Sequence, residues 1–129
     1  MNHAAVLCMG LLGLLVFGLG LAVSLVRGST GANFAYTVDP TDRLYKLVRA
    51  HGNAAEYAPM LALLTWYLGS HQPGRFVVWT YVAATAFRYL HALGMILAQS
   101  LDKVDPLRFV GALGTYVTGV VLVIAMLGA

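Results

Sequence analysis

The chain is short of charge and almost without cysteine. Of its 129 residues eight are Lys or Arg and five are Asp or Glu, about 10% together, far below the roughly 25% of an ordinary soluble domain. With a length of 129 residues, enough for four membrane spans and little else, no attached soluble catalytic domain is expected. The formal charge of +3 is modest, and the cations are scattered near predicted membrane boundaries, so no basic run exists for nucleic acid. Cys8 is the single cysteine, which excludes an intrachain disulfide. Inside an apolar run it reads as an unreactive thiol facing lipid or a neighbouring helix. Metal ligands are equally scarce. At membrane depth only Glu56 and His91 qualify, with arginines beside them that would repel a cation, so no metal is expected.

What abounds is apolar side chain, 60% of the chain with a mean hydropathy of +0.77, the composition of a membrane protein. Spans of about 20 residues leave room in one domain, 1–129, for four transmembrane helices and little else. The expected fold is all-α, an integral membrane four-helix bundle of left-handed up-down topology, with helices at about 4–26, 40–68, 75–99 and 106–127.

The run from Ala4 to Val26 reads as an uncleaved anchor. A signal peptide is the competing reading, but Met-Asn-His carries no Lys or Arg and the run exceeds a usual h-region. Arg27 to Val38 is the first loop. Asp39 is placed to cap helix two, Pro40 to occupy its first position and Asp42 to complement its dipole. Helix two is longer than a bilayer needs, so the turns bearing Arg43, Lys46 and Arg49 reach the interface, and Pro59 is expected to kink it just past Glu56. Asp105-Pro106 repeats the Asp-Pro start in helix four, where Gly111, Gly114 and Gly119 offer close packing. Arg27, Arg43, Lys46, Lys103 and Arg108 fall on the side of loops one and three, and only Arg75 on the other. The positive-inside rule then puts both loops in the cytoplasm and both termini outside.

Within these spans the polar residues need partners. Arg49, Asn53 and Glu56, spaced by four and three, share one helix face. Glu56 lies 13 residues before Gly69 and Arg88 lies 13 after Arg75, the same depth of about 20 Å. Each charge costs about 2.5 to 3.5 kcal/mol at that depth, so the two are expected to pair, either within a ligand site or to fix helix register. His91, one turn from Arg88, is a packing residue taken alone and completes a polar pocket taken with Arg49, Asn53 and Glu56. Arg108 sits at the positive end of the dipole of helix four, where a cation is unfavourable. It is either a snorkelling interfacial arginine or part of an anion site in which free helix N–H groups and a guanidinium converge. A thiolate is the anion such a site suits best. Cys8 is too far away, so the thiol would arrive with a substrate.

These residues resemble a known family, the membrane-associated proteins in eicosanoid and glutathione metabolism (MAPEG). The match runs over nearly the whole chain through Arg49-Ala50-His51-Gly52-Asn53-Ala54-Ala55-Glu56-Tyr57-Ala58-Pro59, then Arg88-Tyr89-Leu90-His91, then Asp105-Pro106-Leu107-Arg108. The resemblance implies a homotrimer that binds glutathione as co-substrate between subunits near the cytoplasmic boundary. It implies that Arg49, Asn53, Glu56 and Tyr57 hold the glutathione backbone, that Arg88 and His91 line the same pocket, and that Arg108 is the catalytic residue stabilising the thiolate. Met95 stands where the family often has a tyrosine, which removes one contact.

The function expected on this basis is a glutathione transferase of a bacterial inner membrane or an equivalent one. It would conjugate glutathione to lipophilic electrophiles that enter from the bilayer, with hydroperoxide reduction as an accompanying activity. The alternative is a non-catalytic scaffold of the same fold that binds lipid or another small molecule. A small transporter is disfavoured, since inverted repeats and broken helices are not evident.

Overall fold

The computed structural model describes residues 1–34 and 36–129. Four helices account for most of it: α1, His3–Thr30; α2, Arg43–Ser70; α3, Arg75–Leu97; and α4, Pro106–Leu127. No strand occurs among the described residues. Two of the four, α1 and α4, are long and apolar enough to cross a membrane by length and composition. Four such helices were expected. The stripe of charge along α2 is what keeps that helix from reading as uniformly apolar.

Three boundaries differ from the sequence reading. α1 runs on to Thr30 instead of stopping near Val26, and within it the hydroxyls of Ser29 and Thr30 turn back onto the carbonyl of Val26. Gly31, with φ 71°, then ends it in the left-handed conformation that glycine adopts without steric cost. α2 begins at Arg43, three residues later than expected, and Asp42 is its cap, accepting from the N–H of Tyr45 at 2.8 Å. Asp39 is instead drawn into a local turn by the N–H and hydroxyl of Thr41, at 2.8 and 2.7 Å. Those two donors hold the Asp39 carboxyl below its usual pKa. At Asp105 no threonine competes, and its carboxylate caps α4 as expected through the N–H of Arg108 at 2.9 Å. α3 stops at Leu97, two residues short of the expected Gln99.

The N–H of Asn2 donates to the carbonyl of Gly69 at 2.9 Å, so α1 begins where α2 ends. At the opposite end the N–H of Leu101 donates to the carbonyl of Pro40 at 2.9 Å, and Lys46 Nζ donates to the carbonyl of Ala98 at 3.0 Å. The first and third loops therefore share one end of the bundle. One core cluster joins Cys8, Leu12, Leu61, Tyr81 and Leu122; a second joins Leu15, Leu19, Ala54, Ala92 and Met95. Cys8 is 3% exposed and faces the other helices.

α3 and α4 meet backbone to backbone. A methyl group added at Gly94 would strike the backbone of Arg108, and one at Gly111 the backbone of His91. Only glycine permits that approach. The seam fixes the height of α4 against α3, and with it where Arg108 stands relative to His91.

Candidate functional site

Arg88 is the largest fully buried side chain, 1% exposed. Its Nη2 donates to Asn53 Oδ1 at 2.6 Å and more weakly to the Asn53 carbonyl at 3.4 Å, while Nη1 reaches Thr115 Oγ1 at 3.5 Å. The guanidinium carbon lies 5.1 Å from the centre of the Tyr57 ring, a cation–π distance. Nε has no partner among the described residues.

The expected ion pair between Arg88 and Glu56 is therefore corrected. Asn53 and Tyr57 are i, i+4 neighbours on the face of α2 that meets Arg88, whereas Glu56, one residue before Tyr57, is rotated by about 100° and is exposed. Equal depth set the height of the two charges, not their direction. Arg49 is likewise exposed. The stripe on α2 thus divides: Asn53 turns into the bundle, and Arg49 and Glu56 face outward.

α4 supplies two residues that the sequence reading missed. Thr115 receives Arg88, and the hydroxyl of Tyr116 lies 3.3 Å from that of Tyr57, with the rings 5.6 Å apart. The signal was present, since Thr115 follows Gly111 and Arg108 at steps of four and three, one helix face. Beside the tyrosine pair an apolar groove of about 280 Å³ opens between α2 and α4, walled by Leu61, Leu64, Gly119 and Val123.

His91 and Arg108 form a second group. His91 is 8% exposed, and its Nδ1 lies 2.8 Å from the carbonyl of Arg108. A carbonyl only accepts, so Nδ1 carries the proton. The Arg108 side chain reaches back over the last loop, where Nη1 donates to Leu101 O at 3.0 Å and Nη2 to Lys103 O at 2.8 Å. The anion site imagined with free N–H groups is corrected in one respect: the N–H of Arg108 is taken by the Asp105 carboxylate. That carboxylate complements the helix dipole and makes a cation tolerable there. Arg108 as a whole is half-buried, and of the five N–H donors of its guanidinium two are used on the loop among the described residues.

Four packed helices, two of them apolar enough by length and composition to span a bilayer, have the character of a helical membrane protein, one that buries an arginine on neutral groups among the described residues and fixes a second arginine at a helix start. The family model for the MAPEG family matches residues 5–128, and the chain belongs to that family, which includes glutathione transferases and non-enzymatic members. No match was found among curated proteins or among solved structures.

Proposed function

We propose that the chain is a membrane-embedded glutathione transferase that joins glutathione to lipophilic electrophiles. The observation that carries the proposal is Arg108. Two backbone carbonyls hold its guanidinium in place, its backbone is locked to α3 through His91 and Gly94, and three N–H donors remain for an anion. A cation fixed in advance stabilises developing negative charge without reorganising during the reaction. The thiol of glutathione would lose its proton to water, and the thiolate sulfur would form the bond to the electrophilic carbon. The leaving group would depart with its electron pair or, in an addition, the π pair would move onto the conjugated acceptor and be protonated by water.

The other roles follow from where charge is available. Arg49 and Glu56, exposed on α2, suit a carboxylate and the amino group of glutathione. Asn53 and Tyr57 would form the wall behind them, backed by Arg88, and His91 would line the same pocket from the side of Arg108. The groove between α2 and α4 suits the apolar body of the acceptor. All four helices would cross the membrane in a left-handed up-down bundle, loops one and three on the cytoplasmic side, in a homotrimer whose subunits share each site.

Adding glutathione to the purified protein should produce the ultraviolet difference absorbance of a thiolate. Arg108→Ala should abolish that band and slow conjugation of a model electrophile by about 10²- to 10³-fold, the effect of losing one preorganised donor. Unchanged turnover would remove Arg108 from the chemistry.

One observation favours the non-catalytic scaffold. Arg108 ties two loop carbonyls, which is structural work in itself. That reading predicts saturable binding of a lipid or small molecule, no thiolate band, and an Arg108→Ala chain whose only defect is stability.

A further inference from the structure

At the end of the bundle where α2 begins, a cavity of about 200 Å³ lies between three helices, walled by Ala22 and Val26 of α1, Leu47 of α2 and Ile96 of α3. Arg43 and Lys46, one turn apart on α2, also line it, and among the described residues no acidic side chain does. Its polarity is ordered along the bundle. Arg43 is the first residue of α2, and Leu47 lies four residues deeper, about 6 Å. On α1, Val26 is nearer the same end and Ala22 one turn deeper. Arg43 and the ammonium of Lys46, which bonds the Ala98 carbonyl just past the end of α3, therefore form a rim, and Ala22, Leu47 and Ile96 a floor. Lys46 spends one of its three donors on the Ala98 carbonyl, and Arg43 is exposed.

Two cations above an apolar cleft, at the level where a membrane helix leaves the bilayer, match a phosphate with an acyl chain below it. A soluble phosphate would leave the apolar floor unused. A neutral lipid would leave the two cations without an acid. The volume suits a headgroup phosphate and the first segment of one chain. None of these residues belongs to the glutathione site proposed above, so the cavity does not depend on conjugation.

We infer that this cavity binds the headgroup phosphate of an anionic phospholipid from the adjoining leaflet, with Arg43 and Lys46 as its cationic rim and the cleft between α1, α2 and α3 holding the start of one acyl chain. Basic pockets between helices on the cytoplasmic side select anionic lipids by this combination of charge and apolar contact.

The test uses the full chain in nanodiscs of phosphatidylcholine with increasing phosphatidylglycerol. Retained lipid is counted by native mass spectrometry and Tm is measured in parallel. Phosphatidylglycerol should be retained in preference to phosphatidylcholine and should raise Tm. Arg43→Gln should weaken retention roughly fivefold, Lys46→Gln by a similar factor, and Lys46→Arg should restore it. Lys103→Gln, which removes an exposed cation on a neighbouring loop, should change neither readout. Lys46 also ties α3, so Arg43→Gln decides the matter if the Lys46 variant fails to fold.

Equal retention by Arg43→Gln, equal retention of phosphatidylcholine, or an equal loss in Lys103→Gln would overturn the site. So would a Tm rise reproduced by inorganic phosphate alone, which would point to a soluble ligand, or an Arg43→Gln chain that loses subunit association, which would point to a second copy.

Discussion

Among the described residues Arg88 has neutral partners only for its buried charge, and its Nε makes no hydrogen bond. Its shortest bond, 2.6 Å to Asn53 Oδ1, bears most of the compensation. Hydrogen bonds to charged groups contribute about 1.5 to 3 kcal/mol, so Asn53→Leu should lower stability by about that much, leaving the cation buried with less to hold it. Arg88→Met removes the charge and the unsatisfied Nε together and leaves unpaired only neutral groups such as the Asn53 amide, and an orphaned neutral group costs less than an orphaned charge. Equilibrium unfolding in mixed detergent micelles should therefore rank Asn53→Leu as the more damaging change. The reverse ranking would mean that Arg88 has an acidic partner after all, with Glu56 the nearest candidate.

Among the elements, the glycines of α4 separate by what a methyl group would meet. At Gly111 it meets the backbone of His91, which cannot yield. At Gly114 it meets the Phe87 ring, and at Gly119 the nearest atom is Leu61 Cδ2 at 3.9 Å, ordinary contact. Gly111→Ala should cost about 1 to 3 kcal/mol as overpacking. Gly114→Ala should cost less, to the extent that the ring can move. Gly119→Ala should be neutral or stabilising by up to about 1 kcal/mol through helix propensity. Detergent unfolding of the three variants checks the order, and equal effects would show that the seam is not what fixes α4.

The same residues show how far the sequence could be read. Gly111, Gly114 and Gly119 look alike on a helix, and only the neighbouring element decides which are needed. The four helices, the α4 cap and the common end of loops one and three were legible because they depend on local pattern. The α2 start was not, because Asp39 and Asp42 are both competent caps and the choice turns on the Thr41 hydroxyl. The Arg88 partner was missed for a similar reason: hydropathy and length give depth, while direction around the helix is set by packing.

At the scale of the whole molecule, Arg49 and Glu56 are exposed on α2, within the stretch expected to lie in or near the membrane, and bare lipid would penalise both. Neither has a side-chain partner among the described residues, and on the function proposed above their partners come from beyond the single chain. The proposed trimer supplies them by placing a neighbouring subunit, and glutathione between the two, against that face. Native mass spectrometry from mild detergent should then show three copies of the chain. Glu56→Gln keeps the size of the side chain and removes its charge. It should leave the three-copy mass in place while weakening glutathione binding about tenfold or more, since a buried charged partner is worth at least about 1.4 kcal/mol. A monomer that still binds glutathione at full strength would show instead that a single subunit completes the site. A Glu56→Gln chain that dissociates would assign the carboxylate to the subunit contact and not to the ligand.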